Sequence, residues 1–155
     1  MKIYVYLVMG LLILVMMVAA QCGATPADAP QIKVMEPWAR PSPMQAGNGA
    51  VYMALVNQGG RDDALVSVQT DVAEVVELHE TKMEGELMKM SPVNKIEIPA
   101  NGSATLEPGG LHVMLINLKQ ELTPGEKIKL TLNFEISDPL TIAAEIREIG
   151  AGMGQ

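Results

Sequence analysis

From Ile32 onward, short apolar runs are broken at brief intervals by residues that turn the backbone, and this punctuation leaves little room for a helical domain. The runs read as strands cover residues 32–35, 50–57, 64–68, 75–80, 87–92, 95–98, 104–106, 112–118, 127–135 and 140–149. Between them stand Asn57-Gln58-Gly59-Gly60, Ala100-Asn101-Gly102-Ser103, Pro108-Gly109-Gly110, Thr123-Pro124-Gly125-Glu126 and Ser137-Asp138-Pro139. Gly and Asn accept positive φ, and Pro presets the first turn dihedral, so each cluster turns the chain by a physical mechanism. No stretch shows a sustained apolar stripe at the helical period, although residues 72–78 could open a helical turn. The fold class is therefore all-β, a β-sandwich or Greek-key barrel. At 155 residues the chain is long enough to bury one core without disulfide or metal staples.

The N-terminus is organised differently. Residues 3–20 form an uncharged apolar run preceded by Lys2 and closed by Val18-Ala19-Ala20, the pattern of an export signal cleaved after Ala20. The run also just reaches membrane-spanning length, so an uncleaved anchor is a second reading. A third reading starts from Cys22, the only cysteine, which precedes Gly23-Ala24-Thr25-Pro26-Ala27-Asp28-Ala29-Pro30 as a lipid-bearing residue would precede a flexible tether. Gln21 departs from the Gly, Ala or Ser usual at that point of lipoprotein signals. All three readings place the rest of the chain outside the cytoplasm. The expected organisation is a targeting segment at 1–20, a tether at 21–31, a β-barrel domain at 32–149 and a tail at 150–155.

Charge and composition exclude several functions. The formal net charge is −7, and removing the targeting segment takes away a lysine and no acid, so a phosphate-neutralising surface and nucleic-acid binding are not expected. A single cysteine permits no internal disulfide and no thiolate cluster. No Ser or Asp stands in a nucleophilic arrangement with a histidine, and no phosphate-cradling loop is present, so the chain is read as a non-enzyme.

What remains is soft. There are 12 Met against one Trp, three Tyr and one Phe, and only two histidines, His79 and His112. On a strand, residues i and i+2 share a face, so His112 and Met114 project side by side, and Met88 and Met90 repeat that geometry. Thioether sulfur is uncharged and a poor ligand for Mg, Ca or Zn but a good one for Cu(I), and a neutral set of two imidazoles and two thioethers favours Cu(I) over Cu(II). Taken singly, each residue has a plainer role. Methionine on a strand usually fills core gaps, which is the reading kept for Met35, Met44, Met53 and Met83. A strand histidine is more often hydrogen-bonded than metal-bound.

Spacing lifts the set above its members. Ten residues separate His79 from Met90, twenty-one separate Met90 from His112, and one separates His112 from Met114. This His-x10-Met-x21-His-x-Met pattern resembles the signature of the periplasmic copper chaperone family PCu(A)C. The likeness extends to Pro37-Trp38-Ala39-Arg40-Pro41, Asn48-Gly49-Ala50-Val51-Tyr52-Met53, Val76-Glu77-Leu78-His79-Glu80 and Pro108-Gly109-Gly110-Leu111-His112-Val113-Met114-Leu115, and covers essentially residues 31–149. The resemblance implies a cupredoxin-like β-barrel that carries one Cu(I) on His79, Met90, His112 and Met114. It implies delivery to the copper-accepting subunit of cytochrome c oxidase, at its dinuclear copper centre, beside a thiol-bearing assembly partner. Some members carry a second sulfur directly after the first histidine. Here Glu80 follows, and the nearest sulfurs are Met83 and Met88.

In the same reading Trp38 and Tyr52 are core residues, and Arg40 pairs with a buried carboxylate or carbonyl. Glu77, Glu80, Glu84 and Glu86 either gather cations near His79 or form an ordinary solvated face. Two other functions remain open: copper storage or resistance, and a metal-free envelope β-sandwich with His79 and His112 far apart or on opposite sides. A blue-copper electron carrier would need a cysteine in the barrel, and Cys22 lies in the tether.

Overall fold

A computed structural model describes residues 28–148, apart from residue 86. The targeting segment, Cys22, most of the tether and the C-terminal tail lie outside the described residues. Among those described, no helix is long and apolar enough to cross a membrane.

Ten strands follow one another: β1 (Ile32–Ala39), β2 (Asn48–Asn57), β3 (Asp63–Gln69), β4 (Ala73–Glu84), β5 (Leu87–Pro92), β6 (Ile96–Ile98), β7 (Ser103–Leu106), β8 (Leu111–Leu118), β9 (Lys127–Phe134) and β10 (Leu140–Ile146). They form one sheet in the order β5-β4-β8-β7-β2-β1-β10-β9-β3-β6, with β8 also paired to β2. The sheet rolls up so that β3 packs on β4 and β6 on β7, the all-β, cupredoxin-like architecture. Strand β9 shows why these residues make strands. Ile128, Leu130, Leu132 and Phe134 are buried while Lys127 before them and Lys129 between them are exposed, a two-residue alternation that fits a half-buried strand.

Each run read as a strand is one, and the differences lie at the ends. Strand β1 continues through Pro37 to Ala39 because a bulge absorbs the proline, with a register shift between Met35 and Trp38 and Glu36 at φ 46°. Residues 72–78 open no helical turn. Pairing of β4 with β8 claims the segment from Ala73 onward. Strand β4 then runs to Glu84 because β5 returns along it.

One buried acid ties the loops at the far end. Burial pushes the Asp63 carboxyl up, but hydrogen bonds from Ser137, Ala64 and Ile136 outweigh it and hold the group below its ordinary value. The main-chain N–H groups of Ala64 and Ile136 donate to Oδ1 at 2.8 and 2.9 Å, and that of Ser137 donates to Oδ2 at 3.1 Å. Asp63→Ala strands these donors and is expected to cost about 3 kcal/mol in urea unfolding. Because the folded pKa is depressed, this contribution is present above the unfolded carboxylate pKa of about 3.9 and is lost as pH falls through the folded value. Wild type should therefore lose stability over that acidic window, and Asp63→Asn should show a flatter profile there.

Candidate metal centre

Strands β5, β4 and β8 lie side by side at one end of the sheet order. Across β4 and β8, His79 faces His112 and Glu77 faces Met114, while across β4 and β5, Thr81 faces Met90. Directly opposed residues share a face, as do residues i and i+2, so Glu77, His79, Thr81, Met90, His112 and Met114 all project from the same side. The opposite side of these strands carries Leu78, Val113 and Leu115, which are buried in the core. The structure thus brings all four residues of the His-Met pattern onto the outer face of the barrel wall.

The two imidazole centroids are 5.8 Å apart. Tyr52 stands 6.4 Å from the His112 ring, and Trp38 stacks on Tyr52 at 4.6 Å with the Arg147 guanidinium 5.2 Å above its own ring. This stack closes one flank, leaving His112 only 3% exposed although it points away from the core. Tyr52 is buried as expected, but Trp38 is only partly covered. Burial pushes the Tyr52 hydroxyl above its ordinary value, with nearby Arg40 opposing the shift.

A hydrogen bond orients each ring. His112 Nδ1–H donates to the Gly110 carbonyl at 3.0 Å, which leaves the lone pair on Nε2. Gly109, at φ 84°, lies in the turn that brings this carbonyl to the ring nitrogen. His79 Nε2–H donates to Glu77 Oε2 at 2.8 Å, which leaves the lone pair on Nδ1. His79 Nδ1 and His112 Nε2 are both buried and have no hydrogen-bond partner. A buried polar atom without a partner costs about 1–3 kcal/mol, so two on facing rings need an explanation. Imidazoles oriented by a carboxylate and a carbonyl through one nitrogen, each with its other nitrogen unpartnered, have the arrangement of metal-binding histidines.

Two thioether residues stand on the same face. An open cleft of about 560 Å³ is lined by Met88, Met90, His112 and Met114, with Tyr52 and Arg40 at its sides. Met114 is half-buried, whereas Met90 is 50% exposed. Among the described residues no group of three or more His, Cys, Asp or Glu side chains could hold a metal ion; the side chains that share this face include the two imidazoles, the thioethers of Met90 and Met114, and Glu77 and Thr81.

Several residues sit elsewhere than expected. Of the methionines assigned to the core only Met53 is buried; Met35, Met44 and Met83 are exposed. Arg40 is exposed at the cleft mouth and has no carboxylate partner among the described residues. The acidic cluster is neither a free field nor a plain solvated face. Glu77 holds His79, Glu80 pairs with Lys82, Glu84 pairs with Lys89, and Glu86 lies outside the described residues. Sequence reasoning did not find the positioning roles of Glu77 and the Gly110 carbonyl, though both stand two residues from a histidine.

A family model for LpqE-like proteins, which carry a lipoprotein name, matches residues 32–146. The chain belongs to this LpqE-like, PCu(A)C family. Among solved structures, the copper-bound PCuAC domain from PmoF2 is similar at 26% identity and TM-score 0.66, covering 81% of this chain and 96% of that one. The Cu(I) form of DR1885 from Deinococcus radiodurans is similar at 31% identity and TM-score 0.59, covering 86% of each chain. Protein RP573 of Rickettsia prowazekii is 31% identical over 114 residues, a stretch that spans 71% of this chain and 62% of that protein. Lxx21020 of Leifsonia xyli subsp. xyli, which also carries a lipoprotein name, is 29% identical over 133 residues, 84% of this chain and 76% of that protein. Membership of the PCu(A)C family accords with the all-β, cupredoxin-like barrel.

Proposed function

We propose that this chain is a copper chaperone that carries one Cu(I) as cargo on His79 Nδ1, His112 Nε2 and the thioethers of Met90 and Met114. The observation that carries this reading is the pair of buried, unpartnered imidazole nitrogens on facing strands, on the same face as the two sulfurs. All four ligands are neutral, so binding displaces no thiol proton, and the soft donor set suits Cu(I) better than Cu(II). The open cleft and the exposure of Met90 leave the ion within reach of another protein. An anionic thiolate is a stronger ligand for a soft ion than a neutral thioether, so a thiol-bearing assembly partner is a suitable acceptor on the way to the copper-accepting subunit of cytochrome c oxidase. Such traffic belongs outside the cytoplasm, where the apolar N-terminal segment would deliver the domain.

The reading is tested by anaerobic titration of Cu(I) against a chromophoric chelator, which should show one tight equivalent. Trp38 is the only tryptophan and stacks on Tyr52 beside His112, so its fluorescence should fall in step with that equivalent and then stay level. Chelator competition without a tight equivalent, or Trp38 emission that does not change up to saturation, would count against the reading.

A further inference from the structure

The β4–β5 hairpin extends past the candidate centre with two unlike faces. One face carries charges, with Lys82 bonded to Glu80 at 2.7 Å and Lys89 to Glu84 at 3.2 Å. The other face continues that of His79 and Thr81 and presents Met83 and Met88, which stand directly opposite each other in the ladder. Met83 is 64% exposed and Met88 67% exposed. Core filling, the usual reason for a methionine, fails here because no core lies beneath them. Met88 also lines the cleft that holds Met90, His112 and Met114. Methionines therefore occupy one face of the sheet from near the hairpin tip to the histidine pair.

We propose that Met83 and Met88 form an outer docking point for Cu(I), from which the ion passes inward to Met90 and the histidine pair. This rests on the Cu(I) reading of the inner site. Directly opposed residues of an antiparallel pair have Cβ atoms about 4.5–5.5 Å apart, close enough for two flexible thioethers to meet on one ion. Two thioethers without an imidazole bind a soft ion more weakly than the inner set of four, which makes the outer point a place of passage. Transfer is a ligand exchange. A bond from copper to the Met90 sulfur forms as the bond to Met83 breaks, the metal stays Cu(I), and no proton moves because a thioether carries none.

The test uses protein labelled with carbon-13 at the methionine methyl groups and titrated with Ag(I), a soft monovalent ion that undergoes no redox change. The methyls of Met90 and Met114 should shift during the first equivalent, and those of Met83 and Met88 should shift mainly beyond it. Replacing both outer residues, Met83→Leu with Met88→Leu, keeps apolar bulk on an exposed hairpin while removing both sulfurs. That variant should keep the first phase, lose the second, and take up Cu(I) from a small-molecule donor severalfold more slowly. Stationary Met83 and Met88 methyls with moving Met90 and Met114 would overturn the outer site alone, as would unchanged uptake by the double variant. Movement of the outer pair without Met90 and Met114 would overturn the inner site and inward passage together, and no movement at any of the four would do the same.

Discussion

His112→Ala is expected to weaken Cu(I) binding by more than about 100-fold, beyond the 10- to 100-fold typical when only a partner of a metal ligand is lost. His112 is the best-covered of the proposed ligands, and its unpartnered Nε2 is what the Gly110 carbonyl holds ready. Alanine removes that nitrogen and opens space beside Tyr52, but it leaves the aliphatic core on the other side of β8 intact. Chelator competition measures the loss, and far-ultraviolet circular dichroism should report an unchanged β fold. A variant that stays folded and still binds Cu(I) like the wild type would remove His112 from the site.

The second large effect separates two neighbours in the chain. Leu115 is fully buried and faces the core, while Met114 faces outward toward the cleft. Leu115→Ala should cost about 2–5 kcal/mol in denaturant unfolding, the range for deleting a large aliphatic side chain from a packed interior. Its copper affinity should remain close to wild type under conditions where the protein is folded. Met114→Leu nearly conserves volume and should cost less than about 1.5 kcal/mol, yet it removes a sulfur and should lower Cu(I) affinity strongly. If both substitutions changed stability alone, the outward face of β8 would be structural and the site would need other ligands.

These two neighbours also show how much could be read before any coordinates were known. Alternation along a strand separates residue 114 from residue 115 by pattern alone, and turn residues delimit the strands, so the all-β class and each strand could be read from local order. The strand ends could not. Whether β1 passes Pro37 depends on a bulge against β2, and whether β4 reaches Glu84 depends on its ladder with β5; both are decided by pairing with another strand and not by the run itself. The candidate site divides in the same way. His79, Met90, His112 and Met114 could be picked out by spacing, but spacing holds no hydrogen bonds. That Glu77 sets the tautomer of His79, and that Trp38 and Tyr52 wall in His112, follows from the packing of β1, β2, β4 and β8. Methionine number misled more than it helped, since Met35, Met44 and Met83 lie on the surface where core packing was expected.

The central claim is that one Cu(I) is held by two imidazole nitrogens and two thioether sulfurs, and X-ray absorption at the copper edge of the singly loaded protein tests it most directly. Wild type should show a Cu(I) edge with a mixed shell of nitrogen and sulfur neighbours, with sulfur reduced in Met114→Leu and nitrogen reduced in His112→Ala. A shell of nitrogen and oxygen only, or one that is the same in all three proteins, would contradict it.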